Sequence, residues 1–570
     1  MKKALIYGIL MWMGHFAFGQ NTLLIPDTLS GTSINLTLQN GAHQFFTGDT
    51  TNTMGANGNI LGPTLLLNQG DMVNFSVNNQ LSDSTTIHWH GMHISAENDG
   101  GPHSVIPPNT TWQPSFEIMD KAATYWYHPH LHHHTDRHVS KGIAGQIWVR
   151  DNEEAALDLP RTYGIDDIPL VIQTKSFDAN NQILHHSNSD DALMVNATID
   201  ATFDAPAQVV RFRILNGSSQ RVFNLGLTGN KTFYQIASDG GLLSAPVSLT
   251  RLKLSPGERA EILIDFSGMS GQAIHLKSFA SEFSNGFYGA TNPGMGNGMT
   301  MTGYNPNPLN GTDFDILEFN VTTATANAVT TIPTALATVT PIPQANATTT
   351  RNLTFTPAQM GMNALNNGFL INNQSFNMGV INYSIPLGSV EIWSLTNQSP
   401  IAHPFHIHDV QFYILDINGA TPPANMQGRK DVVLVPPMQT VRFITAFEDF
   451  ANDTVPFMYH CHMLKHEDEG MMGQFLVTDT TSISTNHLLL EDAVLIYPNP
   501  TTTQFNIRLE NENNVIENIQ VTDVLGRIVY TVMGLNTNFE TIDAQHLSSG
   551  MYHVFIKTKH GVYTGKVMKQ

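Results

Sequence analysis

Short runs in which apolar and polar residues alternate recur along this chain. They include DMVNFSVNNQ (71–80), QVVRFRILNG (208–217), SVEIWSLTNQ (389–398) and QTVRFITAFED (439–449). Turn-forming residues bound each run, and the heptad patterns of long helices are hard to find. Alternation with a period of two places successive side chains on opposite faces of a strand. The pattern therefore predicts an all-β protein built from β-sandwiches.

Three of these runs share a further feature, because each ends in an asparagine followed by a turn (VNFSVNNQ, VRFRILNG and VEIWSLTNQ). The repetition predicts three copies of one sandwich domain, which we place at residues 20–150, 151–325 and 326–480. The segment 321–350 is rich in Thr, Ala and Pro and carries no charge. Such a composition is typical of a connecting segment, so we interpret it as the crossover into the third domain.

The N-terminal stretch MKKALIYGILMWMGHFAFGQ has two lysines, an apolar run from Ala4 to Met13 and small residues before Gln20. This order is that of a secretory signal peptide, predicted at residues 1–19. The alternative is a transmembrane anchor, but the apolar run is too short to span a bilayer. We therefore expect an exported protein without a transmembrane anchor.

Composition narrows the possible partners. The formal charge of −20 argues against binding to nucleic acid. The only cysteine, Cys461, cannot be half of an intramolecular disulfide. It lies in MYHCHMLKHEDEGMM (458–472). Two unremarkable interpretations remain for this stretch: a small buried hydrophobic residue, or a chance histidine-rich turn.

Four stretches place two histidines at a spacing of two: HWH, HPH, HIH and HCH. Residues i and i+2 of a strand point to the same face, so each pair can offer two imidazoles to one site. Eight such histidines, in two groups some 300 residues apart, exceed what a hydrophobic core requires. The pairs are His88 and His90, His128 and His130, His406 and His408, and His460 and His462.

The same alternation turns Cys461 away from its two histidine neighbours, toward a separate site. His466 and Met471 follow it in a Cys-x4-His-x4-Met pattern, and His403 begins the earlier HPFHIH. Two imidazoles, a thiolate and a weak thioether form the ligand set of blue copper. Zinc is the main rival for cysteine and histidine ligands, but structural zinc sites rarely include a thioether. Cys461 would then join two metal sites covalently.

At this point the sequence resembles the multicopper oxidases, a family of three-cupredoxin proteins that includes laccases, bilirubin oxidase and bacterial copper-efflux oxidases. The resemblance runs from about residue 50 to 478. TIHWHGMHISAENDGGPHSVIPP, YWYHPHLHHHTDRHVSKGIAGQIWV and HCHMLKHEDEGMM are especially similar to the copper-efflux branch. The resemblance implies three cupredoxin-like Greek-key sandwiches, with a three-copper cluster between the first and third.

The resemblance also implies which residues would bind four copper ions. The type 1 copper would be held by His403, Cys461, His466 and Met471. The type 2 copper would take His88 and His406. The type 3 pair would take His90, His128, His130, His408, His460 and His462. Every ligand position of the family is filled, which disfavours the copper-free relatives of this superfamily.

The chemistry implied by the family is one-electron oxidation of a small reductant and four-electron reduction of dioxygen to water. Cys461 and its histidine neighbours would carry the electrons. Asp99 and Glu467 match positions that the family uses for proton delivery, which suits general acids. The alternative is that both carboxylates only orient ligand histidines. The reductant could be Cu(I), a phenol or an aromatic amine.

Several other histidines and methionines invite a metal-binding interpretation. We expect His93, His103, His132, His133, His134 and His138 to be supporting or surface residues, because the ligand count is already complete. Met295, Met299 and Met301 could bind Cu(I), which favours thioethers. However, the copper-efflux branch carries its methionines in the third domain, so an ordinary loop is the favoured interpretation. Met360, Met362 and Met378 lie in the predicted third domain but are sparse.

The C-terminal segment changes character after a predicted linker at 481–492. Residues 493–570 contain alternating runs and glycine turns that predict a small separate β-sandwich. YPNP, DVLGR and LSSGMY occur in the order typical of the type A C-terminal sorting domain of the type IX secretion system, which this segment resembles. A carbohydrate-binding or adhesive module is the alternative. The resemblance implies transit through the periplasm, then delivery to the cell surface or medium.

Three functional hypotheses remain. The first is an oxygen-reducing enzyme that acts as a monomer on dioxygen and a small reductant. The second is a copper-sequestering protein without significant turnover. The third, a nitrite reductase or simple electron-transfer cupredoxin, is disfavoured because a mononuclear second site needs fewer histidines than the four pairs provide.

Overall fold

The alternating runs form strands in the computed structural model, which describes residues 21–296, 298–479, 494–509, 515–523, 528–558 and 561–570. The predicted signal peptide (1–19) and linker (481–492) lie outside these ranges. The α-helices that it describes are Thr135–Lys141, Asn152–Ala155 and Leu464–Asp468. Short 3-10 turns occur at Thr228–Asn230, Ala280–Glu282, Gln344–Asn346, Ala364–Asn366 and Ala424–Met426. The prediction of an all-β fold is confirmed.

The first sandwich contains two sheets around a shared core. One sheet has the strand order Thr28–Ser30, Thr64–Asn68, Gly145–Arg150, Ala123–His128, His88–His90. The other has the order Thr51–Ala56, Ser33–His43, Met72–Asn79, Thr111–Trp112, and Ser115–Glu117 also pairs with Met72–Asn79. Val73, Phe75 and Val77 are buried at alternate positions, as the pattern predicts.

The second sandwich has larger sheets. One has the order Asn21–Thr22, Ala201–Pro206, Phe314–Thr322, Ala273–Ser278, Phe223–Leu227, Leu252–Leu254. The other has the order Ile183–Leu184, Asp167–Phe177, Val209–Asn216, Arg259–Asp265, Phe233–Ser238, Gly241–Leu249, and Ala192–Val195 pairs with Asp167–Phe177. The short strand Asn21–Thr22 therefore belongs to this sandwich, and Leu23 lies in the same core, whereas the next strand along the chain, Thr28–Ser30, belongs to the first sandwich.

The alternating strand Val209–Asn216 is buried on both faces. Its polar face carries Arg211 and Arg213, which pair with acidic groups instead of facing water. Arg213 Nε donates to Asp167 at 2.8 Å, and Arg211 Nη1 donates to Glu154 at 2.6 Å. Glu261 accepts from Thr124 of the first sandwich at 2.8 Å. Buried charges require such partners, so this polar face is an interface between the two sandwiches.

The third sandwich carries most of the residues of interest. One sheet has the order Phe369–Ile371, Thr349–Pro357, Ser389–Asn397, Thr440–Phe447, Tyr413–Ile417. The other has the order Tyr383–Pro386, Met472–Thr478, Phe457–Cys461, His403–Ile407, Val432–Val435. Cys461 and Met471 are buried in the same apolar cluster as Trp393 and Phe405.

The Thr/Ala/Pro-rich segment predicted as a crossover runs across two sandwiches. Leu336 donates its backbone N–H to Ser244 of the second sandwich at 3.0 Å and is buried beside Leu243. Further along, Val339 and Ile342 pack against Ile392 and its neighbours in the third sandwich. The absence of charge in this segment is explained by its contact with apolar surfaces.

The three sandwiches form one compact unit that ends at Thr478, and a separate C-terminal unit begins at Asp479. One sheet of the C-terminal unit has the strand order Val494–Tyr497, Gln504–Leu509, Phe539–Asp543. Its other sheet has the order Ile528–Thr537, Ile516–Asp523, Gly550–Thr558, Gly561–Lys569. Phe505, Ile519 and Val554 lie in a core of its own. No helix in the described ranges has the length and apolarity needed to cross a membrane.

A chain ending at Thr480 should fold like the full chain, because the first unit has its own three cores. We expect its thermal unfolding temperature to match the main transition of the full chain within about 2 °C. Calorimetry of both proteins checks this. A clearly lower transition in the shortened protein would show that the tail contributes to the stability of the sandwiches.

Candidate metal centres

Strand register brings the four histidine pairs together between the first and third sandwiches. In the first sandwich His128 lies opposite His88 on the neighbouring strand. In the third, His406 lies opposite His460. The two sandwiches meet face to face at these pairs, because the His88 and His408 rings stack with centroids 3.8 Å apart and the His90 and His406 rings at 3.7 Å. All eight histidines are at most 1% exposed.

The inward-facing ring nitrogens of six histidines form two groups of three. In one group His90 Nδ1 lies 3.4 Å from His128 Nε2 and 3.2 Å from His462 Nε2. In the other, His460 Nε2 lies 3.0 Å from His130 Nε2 and 3.3 Å from His408 Nε2. Each group combines histidines from the first and third sandwiches.

The remaining two histidines, His88 and His406, face each other across the interface with centroids 5.8 Å apart. Their buried Nε2 atoms have no hydrogen-bond partner among the described residues. Their other nitrogens do, since His88 Nδ1 donates to the Asp99 carbonyl at 2.9 Å and His406 Nδ1 to the Asp431 carbonyl at 2.8 Å. The Nε2 atoms therefore present lone pairs to the interior.

In the two groups of three, hydrogen bonds to the outer ring nitrogens also fix which nitrogen carries the proton. His128 Nδ1 donates to the Pro129 carbonyl at 2.8 Å, and His460 Nδ1 lies 3.1 Å from the Cys461 carbonyl. His408 Nδ1 donates to the Asp99 carboxylate at 2.8 Å. The inward nitrogens of these rings are then unprotonated and face other lone pairs. Neutral imidazoles arranged in this way are suited to bind a metal ion, because a cation would relieve the repulsion between their lone pairs.

Protonation of the clustered imidazoles is an unfavourable way to relieve this repulsion. Burial lowers the pKa of seven of the eight imidazoles, and the charges of their neighbours lower most of these values further. The values fall to about 4 for His408, to about 3 for His462, and well below the ordinary range for His90, His128, His130, His406 and His460. These seven imidazoles are therefore neutral near pH 7.

A second group of donors surrounds the single cysteine. Cys461 Sγ lies 3.5 Å from His403 Nδ1 and 3.6 Å from His466 Nδ1. Met471 is fully buried in the same core, and its backbone N–H donates to the His466 carbonyl at 2.8 Å. Burial raises the pKa of the Cys461 thiol well above its usual range. A bound cation would favour the thiolate.

Neighbouring side chains fix the two imidazoles of this second group. His403 Nε2 lies 2.7 Å from Ser399 Oγ, so its Nδ1 is turned toward the sulfur. The Phe369 ring packs on both His403 and His466, with centroids 4.6 and 4.5 Å apart. Soft sulfur and imidazole donors in a buried, preformed arrangement suit copper.

The predicted carboxylates lie beside the histidine cluster but in different settings. Asp99 accepts from His408 Nδ1 and lies 3.4 Å from His88 Nδ1. Burial alone would raise the pKa of Asp99, but these histidines outweigh it and hold the value below its ordinary range. Glu467 lies 3.3 Å from both His130 Nδ1 and His460 Nδ1. Burial, reinforced by Asp468, raises the pKa of Glu467 well above its ordinary value.

The six additional histidines occupy supporting or surface positions, apart from these groups. His138 is buried with Nδ1 3.2 Å from Thr85 Oγ1, and His103 Nε2 lies 2.8 Å from Gln474 Oε1. The others are His93, which pairs with Asp409 and Asp449, His133, which donates to the Asp468 carbonyl, and the partly or largely exposed His132 and His134. These contacts and exposures favour the expectation that the six histidines are supporting or surface residues, which stays a prediction.

The methionines differ from one another in their exposure. Met301 is 4% exposed and belongs to the core of the third sandwich, so it packs as an ordinary apolar residue. Met299 packs partly buried against the same core. Met295, by contrast, is about half exposed, and its backbone N–H donates at 2.9 Å to the Pro400 carbonyl, just before His403. Met378 is partly exposed.

Three residues that support the centres carried no sequence signal of their own: Ser399, Asp431 and Arg259. Asp431 accepts from His90 Nε2 at 3.1 Å, and Arg259 binds the Asp431 carboxylate through both terminal nitrogens at 2.6 Å. The Arg259–Asp431 and His90–Asp431 contacts join residues 172 and 341 positions apart, whereas Ser399 contacts His403 only four positions along the chain. The local SPGER and RKDVV stretches mark only the positions of Arg259 and Asp431.

A cysteine-centred donor set joined by one strand to eight converging imidazoles, between the first and third sandwiches, is the arrangement expected of a copper-dependent redox protein. Family models described as multicopper oxidase match residues 37–154 and 341–481, and one described as a secretion system C-terminal sorting domain matches residues 495–570.

The relatives extend this match over most of the chain. The multicopper oxidase mco of Staphylococcus haemolyticus is 31% identical over 481 residues, covering 81% of this chain and 93% of the relative. The cell division protein FtsP of Sodalis glossinidius is also 31% identical, covering 80% of this chain and 92% of the relative.

Solved structures agree with the sequence relatives. A laccase-like multicopper oxidase from Ochrobactrum sp. is 33% identical with a TM-score of 0.70, covering 80% of this chain and all of that chain. McoA multicopper oxidase from Aquifex aeolicus is 30% identical with a TM-score of 0.70, covering 81% of this chain and all of that chain. The chain belongs to the multicopper oxidase family. It is an oxidoreductase of the laccase-like or cuprous oxidase type, and its C-terminal segment is a secretion sorting domain.

Proposed function

We propose that this protein couples one-electron oxidation of a small reductant to four-electron reduction of dioxygen to water, with four copper ions. The convergence of eight buried imidazoles into groups of three, three and two is the observation that carries the proposal. Such a set exceeds what one or two metal ions require. A cysteine-centred site, one residue away along the same strand, would supply the second centre, at which the reductant is oxidised.

We assign the donor groups to four copper positions. His403, Cys461, His466 and Met471 would hold the type 1 copper. His88 and His406 would hold the type 2 copper. The type 3 pair would be held by His90, His128 and His462 for one ion and by His130, His408 and His460 for the other. Copper bound in this way would supply the one-electron oxidation at the cysteine site and the reduction of dioxygen at the histidine cluster.

Cys461 gives this chain a covalent route between the two sites. Its side chain faces His403 and His466, whereas His460 and His462, its direct neighbours, face the cluster. Only a few bonds therefore separate the sulfur from the cluster imidazoles. All four candidates for the type 1 site are at most 1% exposed, so a reductant must donate its electron through intervening protein atoms.

Glu467 and Asp99 are suited to deliver protons to the cluster. Glu467 carries a raised pKa and lies equally close to one imidazole from each sandwich, so it can hold a proton near pH 7 and release it inward. Asp99 is ionised, which allows it to accept a proton in transit. Its contacts also orient His88 and His408, so proton transfer and ligand orientation are compatible roles.

We include cuprous ions as one reductant class, because exposed methionines lie near the loop that leads to His403. Met295 borders the loop before His403. Met362 approaches the segment that contains Met295, Met299 and Met301. A methyl group built on Gly298 would lie 2.9 Å from Met362 Cε, and Met360 beside it is 82% exposed. Exposed thioethers bind Cu(I). Small phenols remain a second reductant class.

Two solved relatives are consistent with both reductant classes. The Ochrobactrum enzyme is described as having oxidase activity towards lignin model compounds, and a Campylobacter jejuni relative, 26% identical, is described as a metallo-oxidase. The FtsP relatives, named for cell division, show why the donor set and not family membership alone carries the proposal. A copper-sequestering protein is the second candidate, and oxygen uptake separates the two.

The proposed organisation follows the expected boundaries: signal peptide 1–19, cupredoxin domains at 20–150, 151–325 and 326–480, linker 481–492, and a sorting domain at 493–570. The sorting domain would direct the chain through the type IX machinery, from the periplasm to the cell surface or medium. None of the proposed copper ligands lies in it, so it would act as an address.

Two substitutions, one in each proposed site, test whether the cysteine site and the histidine cluster have separate roles. Cys461→Ser should abolish the intense blue absorption and the oxidase activity, while the imidazole cluster still binds copper. His406→Ala should keep the blue absorption but slow oxygen uptake by about 100-fold or more, because the cluster is incomplete. Visible spectra, copper content and oxygen consumption provide the measurements. A blue band in Cys461→Ser, or normal turnover in His406→Ala, would contradict the assignment.

Glu467→Gln should retain all copper ions and slow reoxidation of the reduced enzyme by oxygen, by about 100-fold, because the amide cannot supply a proton. Stopped-flow reoxidation checks this. The exposed neighbour Glu469 offers a matched control, and Glu469→Gln should reoxidise at the normal rate. Slower substrate oxidation with unchanged reoxidation would exclude the proton-delivery role.

The double variant Met295→Leu/Met362→Leu should lower kcat/KM for Cu(I) by about 10-fold through loss of thioether donors. Oxidation of a substituted phenol should change by less than about twofold, since leucine conserves side-chain volume. Steady-state assays with each reductant measure the effect. Met72→Leu, an exposed change in the first sandwich, is the control. Equal losses for both reductants would show that the loops only shape the site.

A further inference from the structure

The second sandwich supplies none of the proposed ligands, yet it contacts the histidine cluster directly. The contact is the turn Ser255–Arg259, which leads into the strand Arg259–Asp265. Gly257 in this turn has φ +82°, and a Cβ atom built on it would lie 2.8 Å from the His462 ring. The backbone of the second sandwich therefore packs against a ligand that the third sandwich provides.

Arg259 makes the second contact. Its two terminal nitrogens donate to the two carboxylate oxygens of Asp431, both at 2.6 Å. Its remaining N–H groups donate to the carbonyls of Thr124 at 3.0 Å, Gly257 at 3.1 Å and Asp239 at 3.0 Å. All five donors of the buried guanidinium are satisfied, so its position is fixed by all three sandwiches at once.

Asp431 passes this constraint to two imidazoles that belong to different copper positions. Its carboxylate accepts from His90 Nε2 at 3.1 Å, and its carbonyl accepts from His406 Nδ1 at 2.8 Å. His90 comes from a group of three, whereas His406 comes from the pair. Gly91 leaves room for this arrangement, because a Cβ atom there would lie 2.4 Å from Asp431 Oδ2 and 2.6 Å from Arg259 Nη2.

We infer that Arg259 and Asp431 are positioning residues, through which the second sandwich fixes His406 and His90, the imidazoles proposed for the type 2 copper and one type 3 copper, relative to each other. The alternative use of Asp431, as a metal ligand with His90 and His406, is opposed by the guanidinium that already occupies both carboxylate oxygens. The inference rests on the proposed function, since it concerns the imidazoles assigned to these two coppers. An outer partner of a ligand histidine typically changes metal affinity by about 10- to 100-fold.

Arg259→Lys tests this inference, because lysine keeps the charge but cannot bind both carboxylate oxygens in a plane. We expect type 2 copper to be lost about 10- to 100-fold more readily to a competing chelator. The electron paramagnetic resonance signal of that copper should change in shape, while the blue absorption of the type 1 site stays constant. Asp431→Asn should have the same effect, and the double variant should be no worse than either single variant.

Arg213→Lys is the matched control, because Arg213 is equally buried in the second sandwich and pairs with Asp167 and Glu261 without touching a cluster histidine. It should leave both spectra and the chelator profile unchanged. Equal changes in Arg213→Lys and Arg259→Lys would overturn the inference, since they would indicate a general weakening of the domain interface. So would an unchanged type 2 signal in Arg259→Lys, or strictly additive losses in the double variant.

The wild-type protein separates this inference from the proposed function. If it shows neither a blue band nor a type 2 signal after copper loading, the proposed function fails, and the inference falls with it. If the wild-type spectra are as proposed and Arg259→Lys reproduces them, only the inference fails. The metal-free unfolding temperatures of Arg259→Lys and Arg213→Lys provide a readout that is independent of copper, and they should fall by similar amounts.

Discussion

The structure depends on one electrostatic constraint: buried imidazole lone pairs that face each other across a domain interface need a cation. Hydrogen bonds to carbonyls such as those of Asp99, Pro129 and Asp431 place the protons on the outer nitrogens. Burial lowers the affinity of the inner nitrogens for protons. A bound metal ion would satisfy them, so cofactor binding would stabilise the meeting of the two sandwiches at this face.

Strand geometry explains how one cysteine can serve two centres. Residues two apart on a strand share a face, and the residue between them points the opposite way. Cys461 thus lies in the apolar core of the third sandwich, and its neighbours His460 and His462 lie at the interface with the first. The proposed electron route would therefore follow from the alternation of side chains around Cys461, the residue at which the strand Phe457–Cys461 ends.

Much of this could be predicted from the sequence, because strands convert spacing into direction. The four histidine pairs, the Cys-x4-His-x4-Met pattern and the alternating runs each report a local geometry, and the sandwich fold and the separation of the donors into two sites follow from them, whereas the division of the histidines among the copper positions rests on the family resemblance. The roles of Arg259 and Asp431 could not be predicted in this way. They meet only after three sandwiches pack together, and neither belongs to a periodic pattern. The exchange of the strand Asn21–Thr22 into the second sandwich is a long-range pairing of the same kind.

The contrast between the two carboxylates shows how position, and not residue type, assigns chemistry. Asp99 and Glu467 are both buried beside the cluster and both contact two imidazoles. Asp99 accepts a close bond from His408, which favours its charged form. Burial disfavours the charged form of Glu467 and raises its pKa, and the neighbouring Asp468 adds to this effect. Because their surroundings differ, Glu467 tends to hold a proton where Asp99 tends to release it. This difference suits the two carboxylates to the proposed roles of proton donor and proton relay without a change in residue chemistry.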